Sequence, residues 1–166
     1  MRGRLLVAGV LHFTLVACAA VSPPGAPTAT VEESGIQYHL ETASAMYEAG
    51  EVVRLTYRIT NTTREAFRPG SVVNCDYCTR QFHASRDGQE VWRTCRVVPP
   101  CGVVEFSLAP GHTREWVEEW ALTNDNGSMD PEDDFPLGPG TYTVVAELYL
   151  GPGVDRVPVS IELRIK

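Results

Sequence analysis

The sequence predicts an all-β fold, a sandwich of about eight strands, and two observations carry this prediction. Short runs of alternating apolar and polar residues fill the chain after Gly35, and turn-forming residues separate them at the spacing typical of sandwiches. No good helix pattern lies between these runs. The chain has 166 residues, of which 43% are hydrophobic and 21% charged, so one domain with a packed core is expected.

The individual strands are predicted from this alternation. The clearest is 51–61, in which the apolar residues at 53, 55, 57 and 59 share one face. Asp87-Gly88 is a strong signal for a tight turn, so 81–85 and 90–94 are expected to form a hairpin. Five further strands are predicted at 36–41, 103–108, 113–123, 141–150 and 154–165.

Segment 113–123 has an ambiguous pattern. Trp116 and Trp120 are four residues apart, which suits one face of a helix, and they also have the same parity, which suits one face of a strand. We favour the strand because helices are scarce around it, and the helix remains the alternative.

The N-terminus has the pattern of an export signal. Arg2 and Arg4 precede an apolar stretch whose length of about 20 Å as a helix falls short of the ~30 Å hydrocarbon core of a bilayer. The stretch ends in Leu15-Val16-Ala17-Cys18, which resembles the bacterial lipobox, Leu-x-(Ala/Gly)-Cys. Residues 1–17 are therefore predicted to be a lipoprotein signal peptide, with the cysteine as the lipid attachment site. A plain signal peptide that is cut elsewhere is the alternative.

The residues that follow suggest a location and a tether. Ala19, rather than Asp, follows the cysteine, so by analogy with lipoprotein sorting in two-membrane bacteria we expect the outer membrane. The domain would face the periplasm or the cell surface. Residues 18–34 are rich in Ala, Pro, Ser and Thr, which predicts a tether that reaches up to ~50 Å when extended. Residues 35–166 form the predicted sandwich domain.

Three motifs of this domain each couple a strand to a turn. They are, in chain order, the strand that ends in Asn61-Thr62-Thr63, the hairpin with Asp87-Gly88 and Trp92, and the ending with Leu108-Ala109-Pro110-Gly111, Trp120 and Gly140-Thr141-Tyr142. In this order and spacing they resemble the BsuPI-type intracellular proteinase inhibitor family. The resemblance covers about 35–150, most of the mature chain.

The resemblance implies an immunoglobulin-like antiparallel β-sandwich, in which Trp92 and Trp120 fill the core. The family takes its name from the inhibition of an intracellular serine proteinase. An exported chain could not share that target. The resemblance is therefore better evidence for the fold than for the activity. The chain also departs from the family by four inserted cysteines.

Cys75, Cys78, Cys95 and Cys101 remain once the lipobox cysteine is set aside, and outside the cytoplasm such cysteines form disulfides. An antiparallel hairpin centred on Asp87-Gly88 favours nested bridges, Cys75–Cys101 and Cys78–Cys95. Crossed pairing, local pairing within each of the two cysteine-bearing segments, and a zinc site are the alternatives. The prediction is of no metal and no cofactor.

The charge argues against one class of partner. The chain has 14 basic and 21 acidic residues and a formal net charge of -7. Nucleic-acid binding depends on clusters of Lys and Arg, so no nucleic-acid partner is expected. An acidic domain is not attracted to anionic headgroups, so the membrane contact is predicted to run through the N-terminal lipid.

No enzymatic activity is predicted. The histidines of the mature chain, His39, His83 and His112, have no spacing that joins them to a nucleophile. The sequence also has no G-x-S-x-G motif and no phosphate-binding loop. The acidic segment 124–134 lacks the spacing of an EF-hand, so it is predicted to be a solvated loop.

The predicted function is that of a surface-tethered immunoglobulin-like module that binds another protein, either a proteinase that it inhibits or another envelope protein. A structural envelope lipoprotein with no inhibitory activity is the alternative. If a proteinase is inhibited, the candidate contact is segment 94–101, in which Arg96 and Val97 precede two prolines. Prolines and disulfides would hold such a loop extended, so that little entropy is lost on binding. A braced connection between strands is the alternative for this segment.

Overall fold

A computed structural model of the chain describes residues 25–69, 71–74, 80–94, 102–124, 135–148 and 156–166. Within these ranges the chain forms strands and no helix. The strands are, in chain order, β1 (Thr28–Glu33), β2 (Ile36–Thr42), β3 (Met46–Tyr47), β4 (Val53–Asn61), β5 (Ser71–Asn74), β6 (Arg80–Arg86), β7 (Gln89–Arg93), β8 (Gly102–Glu105), β9 (Thr113–Trp120), β10 (Gly140–Leu148) and β11 (Val159–Ile165).

Most of these strands make two sheets that pack face to face. The first sheet has the order β1-β2-β4-β9, and all neighbours in it are antiparallel. The second sheet has the order β3-β11-β10-β6-β7. In the described part of the chain, β5 and β8 pair with each other alone and form a separate two-stranded ribbon. The predicted all-β sandwich is confirmed, with more strands than the eight expected.

The path of the chain between the sheets is that of an immunoglobulin-like domain. The chain leaves the first sheet after β4, forms the β6–β7 hairpin in the second, returns as β9, and crosses again to β10. Tyr142, near the start of β10, donates a hydrogen bond from its hydroxyl to the Gly138 carbonyl oxygen at 2.7 Å. This contact is the tyrosine corner that immunoglobulin-like domains form at the same crossing.

The β3–β11 pair departs from the antiparallel pattern expected. β3 runs parallel to β11, with Met46 beside Arg164 and Tyr47 beside Ile165. The chain crosses to the second sheet directly after β2, and the Tyr47 hydroxyl fixes this crossing through a hydrogen bond of 2.6 Å with Thr42 Oγ1. β3 therefore covers the outer edge of β11 with a strand of two residues.

The prediction of a tether over 18–34 is wrong for part of its length. Residues Thr28–Glu33 form β1, which pairs with β2 from end to end. Ser34 and Gly35 make the turn between them, with φ of 52° and 73°, the two positive values of a type I′ hairpin. This strand could not be predicted from the sequence because it has no apolar alternation. Five of its six residues are exposed.

The core lies between the two sheets, where alternate residues of each strand meet. Buried and outward residues alternate along the whole of β4. Trp92 and Trp120 stack with 4.8 Å between ring centroids, and Tyr142 meets Trp120 edge-on at 6.4 Å. Trp116 and Trp120 are both buried on the same face of β9, so the helix alternative for this segment is wrong.

Two buried tyrosines differ in how their hydroxyls are bonded. Tyr57 is fully buried, and its hydroxyl lies near the Leu148 backbone without meeting hydrogen-bond geometry there or with any other described group. Burial raises the pKa of Tyr57 far above its ordinary value. Tyr142, by contrast, donates a short hydrogen bond to Gly138.

We expect Tyr57→Phe to leave the free energy of unfolding within about 0.5 kcal/mol of the parent or to raise it, because the lost hydroxyl meets hydrogen-bond geometry with no described group. Tyr142→Phe should lower the free energy of unfolding by about 1 kcal/mol or more, because the Gly138 carbonyl loses its donor. Urea unfolding followed by tryptophan fluorescence measures both values. A larger loss for Tyr57→Phe than for Tyr142→Phe would contradict this account of the core.

Candidate functional site

The residues that the sequence singled out as sites lie outside the described part of the chain. They are Cys18, Cys75, Cys78, Cys95, Cys101, Arg96 and Val97. The acidic segment lies outside it too, apart from Asn124, whose amide donates to the Phe135 carbonyl oxygen at 2.8 Å. The strands on either side of the four cysteines are described.

The strand pairs on the two sides of the cysteine-bearing segments have the same register: next to these segments, the numbers of paired residues have the same sum in both. In the ribbon, the pair nearest to these segments is Asn74 with Gly102. In the β6–β7 hairpin, the corresponding pair is Phe82 with Thr94, whose amide donates to the Phe82 carbonyl oxygen at 3.0 Å. Seven residues, 75–81, separate these two pairs on one strand, and seven residues, 95–101, separate them on the other. The two connecting segments are therefore equal in length.

The three histidines lie on three different surfaces. His39 is on the outer face of the first sheet, His83 is on the outer face of the second, and His112 is in the turn before β9. The structure does not bring them together. In the ranges that the structure describes, no group of three His, Cys, Asp or Glu residues could hold a metal ion. The same ranges contain no helix that is long and apolar enough to span a membrane.

A row of polar side chains crosses the outer face of the first sheet. Thr30, His39, Arg58 and Glu115 stand side by side on β1, β2, β4 and β9. Arg58 Nε donates to Glu115 Oε2 at 2.5 Å, and Arg58 Nη1 donates to Glu41 Oε1 at 2.6 Å. His39 contacts Glu41 through Nε2 at 3.2 Å and Thr30 through Nδ1 at 2.9 Å. We call these five residues the polar row.

The guanidinium of Arg58 joins neighbouring strands, because it pairs with carboxylates on both sides. Partial burial of Arg58 disfavours its charged form, but the hydrogen bonds to Glu115 and Glu41 outweigh this and raise the pKa of Arg58 above its usual value. Its guanidinium therefore stays charged and links β4 to both neighbouring strands. The row could not be predicted from the sequence, because alternation shows which residues point outward and not which of them are neighbours across strands.

Asn61, at the end of β4, is a buried polar residue whose side chain joins three segments of the chain. Its Nδ2 donates to the carbonyl oxygens of Glu65 at 2.7 Å and Leu108 at 2.9 Å. Its Oδ1 accepts from the amide of Thr63 at 3.0 Å and from the Thr63 hydroxyl at 2.7 Å. The backbone of Asn61 also bonds to the turn at 111–112. We call this arrangement the Asn61 clamp.

The Asn61 clamp gives a physical role to a short sequence motif. Asn61-Thr62-Thr63 has the form of a glycosylation sequon, but its asparagine is fully buried and both polar groups of its side chain are bonded. In this chain the three residues hold the loops after β4 and before β9 together.

Four aromatic rings contact one another in series beside β9, from the core outward, and we call this series the aromatic ladder. Tyr57 stacks on Trp116 at 5.8 Å, Trp116 on Phe106 at 6.3 Å, and Phe106 meets Phe67 edge-on at 6.2 Å between ring centroids. The guanidinium carbon of Arg114 lies 5.4 Å from the Trp116 centroid and 5.5 Å from that of Phe106. Phe67 and Phe106 belong to segments outside the two sheets, so the strand pattern gave no signal for this contact.

No family model matches the sequence, and no curated protein matches it. Solved structures are similar to it at low identity and low TM-score. A mutant β-glucosidase from Listeria innocua, in complex with laminaribiose, has a TM-score of 0.39 and 15% identity, covering 82% of this chain and 17% of that one. The alkylpurine DNA glycosylase AlkC from Pseudomonas fluorescens, bound to DNA with an abasic site analogue, has a TM-score of 0.43 and 15% identity, covering 81% and 31%. The C-terminal domain of Wzt has a TM-score of 0.44 and 12% identity, covering 87% and 80%. At these values the likenesses carry no argument about function.

We expect Asn61→Ala to lower the free energy of unfolding by about 2–3 kcal/mol, because it removes a fully buried side chain that makes hydrogen bonds to Thr63, Glu65 and Leu108. Asn124→Ala is the matched control, since its side-chain oxygen accepts one exposed hydrogen bond, from the Phe135 amide at 2.9 Å. This control should cost less than about 1 kcal/mol. Urea unfolding of both variants measures the difference. Equal losses would show that the clamp contributes no more than an ordinary loop contact.

Proposed function

We propose that this chain is a lipid-anchored, immunoglobulin-like module of the bacterial cell envelope, held at the outer membrane, whose role is to bind another protein. The observation that carries the proposal is the combination of a lipobox with an immunoglobulin-like sandwich a short distance behind it. The resemblance to the BsuPI-type family makes a proteinase the first class of partner to test. A structural envelope lipoprotein is the alternative.

The short distance between the lipobox and the first strand supports a position close to the bilayer. Nine residues, 19–27, separate Cys18 from β1, and at ~3.1 Å per residue they reach about 28 Å. The Pro27 carbonyl oxygen accepts from the Thr42 amide at 3.3 Å, so the chain enters the sandwich beside the end of β2. We call the end of the sandwich that contains Thr42 and Val53 the entry end.

The opposite end of the sandwich is braced, which supports a role in binding. This far end contains the β1–β2 turn and the Asn61 clamp, since β4 runs to it from the entry end. Thr62 Oγ1 ties the two together by donating to the Gly35 carbonyl oxygen at 2.7 Å. The nine residues of β4 span about 30 Å, so the far end would stand about one domain length beyond the tether. Loops that are already rigid lose little entropy on binding.

We expect Cys18→Ser to abolish incorporation of a fatty-acid analogue and to leave unprocessed precursor in the inner membrane, because a hydroxyl does not replace the thiol in the thioether. Metabolic labelling of the chain in a bacterial host measures this. Cys75→Ser is the control, since it removes a different cysteine, and it should retain the label. Label that persists in Cys18→Ser would overturn the lipid anchor.

Partner binding is tested with the acylated full chain. Cross-linking in native envelope and pull-down should recover a protein partner, and a panel of serine proteinases tests inhibition directly. Tight, stoichiometric inhibition that is lost in Arg96→Ala would identify segment 94–101 as the contact. Inhibition that is unchanged in Arg96→Ala would exclude that segment. If no partner is captured and no proteinase is inhibited, the structural alternative is correct.

The register of the flanking strands supports the Cys75–Cys101 bridge of the nested pairing, which leaves Cys78 and Cys95 to pair with each other. Cys75 and Cys101 follow the last described pair of the ribbon by one step on each strand, and a continued register would set them opposite each other, within bridging distance. We expect mass spectrometry of the non-reduced chain to link Cys75 with Cys101 and Cys78 with Cys95, with no free thiol. Each bridge closes a loop for which chain entropy gives about 3 kcal/mol of stabilisation. A Cys75–Cys78 linkage, or zinc bound by four thiols, would contradict this pairing.

A further inference from the structure

We propose that Arg114 is the anchor point at which this module binds a carboxylate of its partner polypeptide. The proposal rests on the protein-binding function above and names the chemistry of one contact. The candidate ligands are the side chain of an aspartate or glutamate and the carboxylate of a free C-terminus, which share the same planar pair of acceptors.

The side chain of Arg114 rests on a fixed aromatic base. Its guanidinium carbon lies over two rings, those of Phe106 and Trp116, which are 2% and 7% exposed and inclined to each other by 23°. These rings belong to the core, so close packing holds them in place. A guanidinium held over aromatic rings still has N–H donors on its other sides that can bond to acceptors. The side chain of Arg114 is therefore already held in place before a carboxylate binds, which lowers the entropy lost in a bidentate contact.

Arg114 has no carboxylate partner among the described residues. Its side chain makes no ion pair and no hydrogen bond within the described ranges, although acidic residues outnumber basic ones by 21 to 14 in the chain. The carboxylate next to it in sequence, Glu115, is bonded to Arg58. Arg54, an exposed arginine of the same sheet, also has no ion pair there, but it has no ring beneath it in the described part of the structure. Arg54 is thus a natural control.

The position of Arg114 leaves room for a partner. Arg114 is exposed and belongs to β9, the outer strand of the first sheet as described. It pairs with Ile59, two residues before Asn61, so it lies toward the far end of the sandwich. A partner can therefore reach it on the side away from the entry end, where the tether joins.

The net charge of the chain argues for a single carboxylate rather than a polyanion. A nucleic acid or another dense polyanion would meet a chain of net charge -7, and this repulsion extends over about 8 Å at physiological salt. One carboxylate facing one guanidinium avoids most of that repulsion and gains a charge-assisted pair of hydrogen bonds. The structure thus favours a protein ligand with an isolated acidic group.

The experiment follows the side-chain Nε–H signals of Arg114 and Arg54 in the ¹⁵N-labelled mature chain during titration with three acetylated glycine peptides. One carries an aspartate and an amidated C-terminus, one carries a free C-terminal carboxylate, and one carries an asparagine and an amidated C-terminus. We expect a saturable shift at Arg114 with the carboxylate peptides and none with the asparagine peptide. The apparent Kd should be about tenfold lower at Arg114 than at Arg54, since a pre-ordered charge-assisted pair is the stronger one. The tighter of the two carboxylate peptides identifies the source of the ligand.

Two variants separate binding from a purely structural stacking contact. Arg114→Lys keeps the charge but loses the planar fork, so it should weaken peptide binding by about tenfold while urea unfolding changes little. Arg54→Ala should leave peptide binding at the parent level. Equal shifts at Arg114 and Arg54, or variants that change unfolding and leave binding intact, would overturn the proposal.

The envelope pull-down distinguishes this failure from failure of the proposed function. If the parent chain captures a partner and Arg114→Lys captures it equally well, the carboxylate anchor is wrong and the binding function stands. If the parent chain captures no partner, the binding function itself is wrong.

Discussion

β4 determines both faces of the first sheet, because its side chains alternate between the core and the solvent over nine residues. Its inward residue Tyr57 begins the aromatic ladder, its outward residue Arg58 holds the polar row, and its last residue is Asn61. A shift of one residue in its register would bury the arginine and expose the tyrosine. Because β2 and β9 pair with its two edges, their registers follow from that of β4.

The strands that bury one face could be predicted from the sequence. Alternation located the strands from β2 to β11 that contribute a side to the core, and the Asp87-Gly88 turn located the β6–β7 hairpin. The strands that were missed lack this signal for physical reasons. β1 is almost wholly exposed, β3 has two residues, and β5 belongs to a short ribbon outside the sandwich. These three are defined by backbone pairing, which alternation along one strand does not reveal.

Less of the candidate site could be predicted, because its contacts join residues that are distant in the chain. The pairing of Arg114 with Phe106 depends on the loop before β9, and the polar row depends on the register of four strands. Asn61 did have a signal. It continues the inward parity of β4, so the same alternation that predicts the strand places a polar side chain in the core. A polar group in that position must find hydrogen bonds there.

β1 runs along the long axis of the sandwich, from the entry end toward the far end. A pulling force between the segment before Thr28 and the far end therefore acts along the strand, and it loads the hydrogen bonds between β1 and β2 in shear. All six register pairs then resist at once, whereas a force across the strands would open them one after another. A domain joined in this way withstands tension along its length and peels open under a sideways load.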